Sequence, residues 1–181
     1  MKLVLMETAG FLSIPLAWWL FKRLAGRDIR GDMLAGALLG FFSEFAAEPL
    51  FDYHFKATLV RDIPLIVILY WGLMYSAASF YSEKLYKTLL RRDTILPYDK
   101  RILLFDMLAG SLVGFPLEAL GTRLGLWNYR LDLYQWAWGT VPVFGMPYEV
   151  LAAYALQMLT GPTFVRCWEG SFEGARMRGP R

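Results

Sequence analysis

Glu118 and Glu149 are the residues best placed to do chemistry. Each lies inside an apolar stretch, and each follows a proline by two positions, Pro116 and Pro147. An acidic side chain at membrane depth costs roughly 3 kcal/mol or more to insert, so it marks a functional site by default. The bland alternative is an interhelical hydrogen bond that ties two helices together. A carboxylic acid in water-poor surroundings can keep its proton at neutral pH. Proton donation is therefore the chemistry open to such a residue. The prolines assist, because a missing N–H frees a carbonyl and allows the helix to bend. Glu44 is a third acid in an apolar segment, and Glu7 faces either the bundle or its outer surface. The single cysteine, Cys167, rules out an internal disulfide, and the single histidine, His54, rules out the common zinc motifs. The sequence contains no glycine-rich phosphate loop, Ser/His pair or metal-ligand cluster, and no cofactor is expected.

These acids must be carried by helices that cross a bilayer. Of the 181 residues, 56% are hydrophobic, 17% aromatic and 19% charged, and the mean hydropathy is +0.36. A soluble domain has about a quarter of its residues charged. A 20.8 kDa globule has too little interior to hide this much apolar side chain. A helix needs about 20 mainly apolar residues to cross the hydrocarbon core. Five stretches meet that need: 3–24, 33–51, 63–81, 102–124 and 138–159. The first carries paired tryptophans, Trp18 and Trp19, and no small-residue cleavage site, so it is read as a retained span and not a signal peptide. The pattern predicts an all-α integral membrane protein with five transmembrane helices and a basic cytoplasmic tail over 166–181, short of large apolar residues and irregular beyond residue 170. On this spacing Glu118 lies about 18 Å into the fourth helix, and Glu149 about 16 Å into the fifth from its other end. The two acids then share a depth.

Orientation follows from the basic residues. Lys22, Arg23, Arg27 and Arg30 separate the first two spans, and Lys84, Lys87, Arg91, Arg92, Lys100 and Arg101 separate the third and fourth. Arg166, Arg176, Arg178 and Arg181 follow the fifth, whereas the other connections carry only Lys56, Arg61 and Arg130. The positive-inside rule places the N-terminus outside and the C-terminus in the cytoplasm of a multi-pass cell-membrane protein. The net charge of +3 and pI near 9.0 thus report topology and contact with membrane lipid. No basic stripe or recognition motif accompanies them, which argues against nucleic acid. The outer connections are aromatic (Tyr53 and Phe55, then Trp127, Tyr129, Tyr134 and Trp136), as in an interfacial belt or the wall of a site.

An internal repeat organises the chain. Asp32–Phe41 matches Asp106–Phe115 at eight of ten positions, Glu44 pairs with Glu118, and Tyr53–Lys56 pairs in character with Trp127–Arg130. This reads as a duplicated two-helix unit, about 31–85 and 105–160, in parallel orientation after an additional N-terminal helix. Gly36 and Gly40, and likewise Gly110 and Gly114, form small-xxx-small steps that let membrane helices approach closely. Continuing at intervals of four puts Glu44 and Glu118 on those faces, pointing into the bundle. The expected packing sets the second span against the fourth through the four glycines. Asp32 and Asp106 are read as helix-opening acids that complement the positive dipole end.

The second unit resembles a known family. Glu118, Gly121, Gly125, Trp127, Asn128 and Tyr129, followed by Val141-Pro142-Val143 and Pro147-Tyr148-Glu149, look like the motif of the small integral-membrane lycopene cyclase domain and are similar to carotenoid hydratase-type membrane proteins. The resemblance covers about 45 residues, from roughly 105 to 150. It implies cofactor-independent acid catalysis on a polyene end group. One carboxylic acid protonates a terminal double bond, the cation closes a ring or takes up water, and a base removes a proton. Glu149 and Glu118 match the family's two acids. Trp127, Tyr129, Tyr148, Trp71 and Tyr70, with Glu44, would line the pocket for an apolar isoprenoid-type ligand, their ring faces stabilising the cation. The cyclases usually carry adjacent paired acids where this chain has Glu149 alone, and they have more spans. That difference points to a homodimer or a second membrane subunit.

Three function classes stay open at this stage: the membrane enzyme just described, an accessory membrane protein whose acids only specify helix pairing, and a small proton-coupled transporter. An enclosed apolar pocket favours the first, and a packed interior with acids bonded to backbone favours the second. A polar path through the bundle favours the third.

Overall fold

The computed structural model describes residues 2–96, 99–133 and 138–177, and among these the chain folds into five α-helices with short strands between them. Helix α1 (Lys2–Leu20) runs into a π turn (Phe21–Ala25), which Gly26 stops in a left-handed conformation at φ 65°. Helix α2 (Arg30–Ala47) starts with Asp32 in its first turn, and Glu48–Leu50 tightens into a 3-10 turn where Pro49 ends it. Helix α3 (Leu65–Leu89) begins directly after Pro64. Helix α4 (Ile102–Leu124) is closed by Gly125 at φ 71°, whose N–H returns to the carbonyls of Gly121 and Thr122. Helix α5 runs Tyr148–Met177. Four helical segments, Leu3–Ala25, Arg30–Leu50, Leu65–Leu89 and Ile102–Leu124, are long and apolar enough to cross a membrane.

The fifth span differs from expectation. Residues 138–147 do not join the helix; Gly139 and Gly145 adopt positive φ (96° and 68°), and Thr140 bridges to Pro147. Two glycines and two prolines in ten residues favour this loop over a helix in spite of the apolar composition. Glu149 therefore sits in the first turn of α5, not deep within a helix, and Pro147 precedes the helix without bending it. Pro116 does lie inside α4. At the other end α5 continues as helix to Met177, where an irregular tail was expected from residue 170. Arg178, Arg181, Tyr134 and Trp136 lie outside the described residues.

Strand β1 (Phe51–Tyr53) pairs antiparallel with β4 (Trp127–Tyr129), placing Phe51 opposite Tyr129 and Tyr53 opposite Trp127. Strands β2 (Thr58–Val60) and β3 (Ile63–Pro64) form a second small antiparallel pair. The segments after α2 and α4 thus meet at one end of the bundle. At the opposite end Arg27 joins Asp32 at the start of α2 (3.0 Å), Glu83 late in α3 (3.2 Å) and Glu169 late in α5 (2.9 Å). Burial alone would lower the Arg27 pKa, but the charges of Glu83, Asp32 and Glu169 outweigh it and raise the value. Asp106 is fully buried, accepts from Ser82 (2.5 Å) and is paired with Arg166. It lies beyond the first turn of α4, so it serves a buried ion pair and not the helix dipole.

Helix α3 is central: it packs on α1, α2, α4 and α5, while α5 also packs on α2 and α4. The expected α2–α4 seam is absent from the larger interfaces. The glycines face inward, but each receives a neighbour other than its repeat counterpart. A Cβ on Gly36 would lie 2.9 Å from the Gly72 Cα, and one on Gly40 would lie 2.3 Å from the Trp71 Cβ. On Gly110 it would meet the Met158 sulfur at 2.1 Å, and on Gly114 the Tyr154 ring at 2.9 Å. Small residues here form sockets for large side chains of α3 and α5. In lipid, where apolar burial drives helix association weakly, such dispersion contacts hold helices together. Trp71, Met74, Tyr75, Met158 and Val165 form the core these sockets clasp.

Candidate functional site

The strand end of the bundle holds a partly open cavity of about 630 Å³. All five helices contribute to its wall, which is predominantly apolar, yet four carboxylic side chains line it: Glu7 from α1, Glu44 from α2, Glu118 from α4 and Glu149 from α5. Each is 5–8% exposed. The strand pairing brings this about. α2 and α4 each carry a glutamate on the inward glycine face, and β1–β4 pairing draws the ends of both helices together above it.

Every acid is held differently. The Glu118 carboxylate receives three donors: the Trp127 indole (2.8 Å), the Tyr129 hydroxyl (2.5 Å) and the Tyr154 hydroxyl (2.7 Å). Glu44 receives the Trp71 indole (2.5 Å) and the Tyr53 hydroxyl. Burial, joined by the Glu44 and Glu118 charges, pushes the Tyr53 phenol well above its ordinary pKa, so it stays a donor. Glu7 accepts from the backbone N–H groups of Lys56 (3.2 Å) and Ala57 (2.9 Å), strapping the loop after β1 to α1. Glu149 accepts one backbone N–H, from Trp138 at 2.8 Å, through Oε1. Its Oε2 is buried and has no hydrogen-bond partner among the described residues.

Three donors converge on the Glu118 carboxyl, so both of its oxygens are satisfied inside the protein. Glu149 leaves one buried oxygen without a donor among the described residues, an arrangement that is costly unless something else meets it. The cavity thus carries on one wall two differently bonded glutamates, Glu118 with three donors and Glu149 with one free buried oxygen. Trp71, Trp127, Tyr70 and Tyr154 add ring surface to the same wall, and the Trp71 and Tyr154 rings lie 5.8 Å apart.

Of the residues singled out from sequence, Glu118, Glu149, Glu44, Trp127, Trp71 and Tyr70 line this cavity, and Tyr129 reaches it through its bond to Glu118. Tyr148 is 39% exposed and stands outside the wall. It is the first residue of α5, and its helical neighbour Glu149 takes the inward direction. Sequence reading missed Tyr154, whose only sequence signal is an aromatic at helical spacing, and left Tyr53 open between an interfacial belt and the wall of a site; Tyr53 lines the cavity. A clue to Tyr53 was available: it follows Glu44 by nine positions, as Trp127 follows Glu118. His54 lies at the strand end, bonded through Nε2 to the Asn128 amide (3.0 Å).

Fold and site together describe an all-α protein with membrane-compatible helices gathered round an acid-lined apolar cavity. Set against protein families, curated proteins and solved structures, the chain matches no family model, no curated protein and no solved structure.

Proposed function

We propose that the protein is an intramembrane enzyme that applies cofactor-free acid catalysis to an isoprenoid-type polyene, cyclising or hydrating its end group. The observation that carries this reading is the unequal bonding of two acids on one apolar cavity, Glu149 with a free buried Oε2 and Glu118 with three donors. Glu149 donates its proton to one carbon of a terminal double bond, leaving a tertiary cation. The Glu118 carboxylate and the faces of Trp71 and Trp127 stabilise that charge. Attack by a neighbouring double bond closes the ring, and loss of a proton to the Glu149 carboxylate restores the acid. In hydration, water takes the place of the neighbouring double bond: it adds to the cation, and its surplus proton returns to Glu149. Glu44 and Glu118 are bonded to ring donors and face open space, which favours a ligand over the mere fastening of helices.

The same proposal includes topology. α5 completes five crossings of a cell membrane, with the N-terminus outside and the Arg27–Glu169 end in the cytoplasm. The two-helix unit is duplicated about a pseudo-twofold axis. Supporting this, Asp32 to Asp106 and Tyr53 to Trp127 are each 74 positions apart, and Tyr53 and Trp127 lie opposite one another in the strand pair. Repeat-equivalent residues meet in that way on a twofold axis. A homodimer or second membrane subunit extends the reading.

The test supplies an acyclic carotenoid to purified protein in D₂O and compares Glu149→Gln and Glu118→Gln with the parent. Acid catalysis requires one solvent deuterium in the cyclised product and loss of turnover in both variants at unchanged thermal stability. Full activity in both variants, or product free of deuterium, refutes it and returns the acids to a structural role.

A further inference from the structure

A second space of about 800 Å³ lies beside the first. Its floor is α3 from Tyr70 to Leu89, one wall is Ala17 and Phe21, and the other is Leu112 and Pro116 of α4. It exists because α1 and α4 both pack on α3 without forming a substantial interface with each other. Tyr70, Met74 and Leu117 stand in the walls of both spaces, so only side chains divide groove from cavity. Ser13 of α1 is hydrogen-bonded to the Tyr70 hydroxyl at 2.6 Å, fixing that side of the divide between the two spaces.

Charge is distributed unequally along this path. The four glutamates all line the cavity, and Lys84, far down α3, is the one cationic side chain lining either space among the described residues. Lys84 makes no ion pair among the described residues, and its ammonium rests 4.6 Å from the centre of the Phe80 ring. From Lys84 to Tyr70 the floor extends about 21 Å by helical rise, the reach of a long hydrocarbon chain.

We infer that the groove admits a single-chain anionic amphiphile from the bilayer, its head at Lys84 and its unsaturated tail passing Tyr70, Met74 and Leu117 into the acid-lined cavity. This rests on the reading of that cavity as the site of acid chemistry, and it adds a substrate class: an unsaturated chain that carries a terminal anion. The opposite orientation would drive the anion against four carboxyl groups, so only one polarity fits. A passage framed by three side chains suits one chain better than the paired acyl chains of a phospholipid.

The probe is cis-parinaric acid, a tetraene fatty acid that fluoresces in dry apolar surroundings, compared with its uncharged methyl ester on detergent-purified full-length protein. The acid is expected to bind with strong emission and the ester about fivefold more weakly, the effect of one interfacial lysine. Lys84→Gln should bring the acid to the level of the ester, and Leu117→Trp should remove the emission gain of both by closing the passage. Equal binding of acid and ester, with Lys84→Gln unchanged, overturns the anionic head while leaving the cavity reading intact. No emission gain with either probe above protein-free micelles overturns the proposal, while the cavity reading stands or falls by its own deuterium test. Displacement of the probe by phosphatidylglycerol and not by oleate makes bulk lipid the occupant and also overturns the proposal. Lys84 is exposed, so its variant keeps the test decisive should Leu117→Trp fail to fold.

Discussion

Replacing Gly72 with alanine tests the packing of α2 on α3 at its closest point. A Cβ at this position would stand 2.3 Å from the Met33 carbonyl oxygen, 3.1 Å from its carbon and 3.2 Å from its Cα. All three atoms are backbone, so no side chain can swing aside and the helices themselves must part. Restoring an ordinary carbon–oxygen contact of about 3.3 Å requires a shift of roughly 1 Å. A radial gap of that order forfeits about a quarter to a half of each dispersion well along the interface. Overpacking of this kind costs about 1–3 kcal/mol. Alanine's better helix propensity opposes it by about 0.5–1 kcal/mol, so clash wins and leaves a net loss of roughly 1–2 kcal/mol. For a chain of this size that lowers Tm by about 2–8 °C. Gly31 supplies the control, because a Cβ there meets nothing within 4 Å. Thermal unfolding in one detergent, followed by helical circular dichroism, should show Gly72→Ala clearly below the parent and Gly31→Ala at or slightly above it. If Gly72→Ala melts with Gly31→Ala, the close approach of α2 and α3 is wrong. Trp71 adjoins the clash and donates to Glu44, so Gly72→Ala should also perturb tryptophan emission.

The remaining expectations concern topology and the buried ion pair. In a Cys167→Ser background, single cysteines at Asp93 and Asp132, both exposed, should be labelled from opposite sides of the membrane by an impermeant maleimide; labelling of both from outside ends the proposed orientation. Arg166→Met leaves the fully buried Asp106 carboxylate without its cation and should destabilise by about 3–5 kcal/mol. Adding Asp106→Asn should recover most of that loss, and a double variant no more stable than Arg166→Met would contradict the pairing.

Much of the architecture was legible in the chain. The uncharged run 63–81 falls almost wholly within α3, and the fourth span matched α4, with Gly125 marking its C-terminal end. The repeat at Asp32–Phe41 and Asp106–Phe115 placed Glu44 and Glu118 on inward faces, since helical spacing alone decides which residues share a side with glycine. The start of α5 was less legible. Hydropathy counts apolar residues without asking whether Gly139, Pro142, Gly145 and Pro147 allow a helix, and backbone preference prevailed over composition there.

The sequence by itself determined the helical class, the membrane-compatible composition, the glycine faces and the presence of acids upon them. Those properties are local, set by residue type and by the period of one helix. Tertiary structure alone decided what each face meets. Gly36 and Gly40 are occupied by α3, and Gly110 and Gly114 by Met158 and Tyr154 with little help from α2. It also decided that Glu7, from an additional helix, joins the same cavity. A glycine pattern says that something large or close fits there; it does not say what, because the identity of the partner depends on how all five helices share α3. The unequal bonding of Glu118 and Glu149 arises in the same way. Both are glutamates after prolines, but one lies inside α4 and the other opens α5, and the fold brings three donors to the first and one to the second.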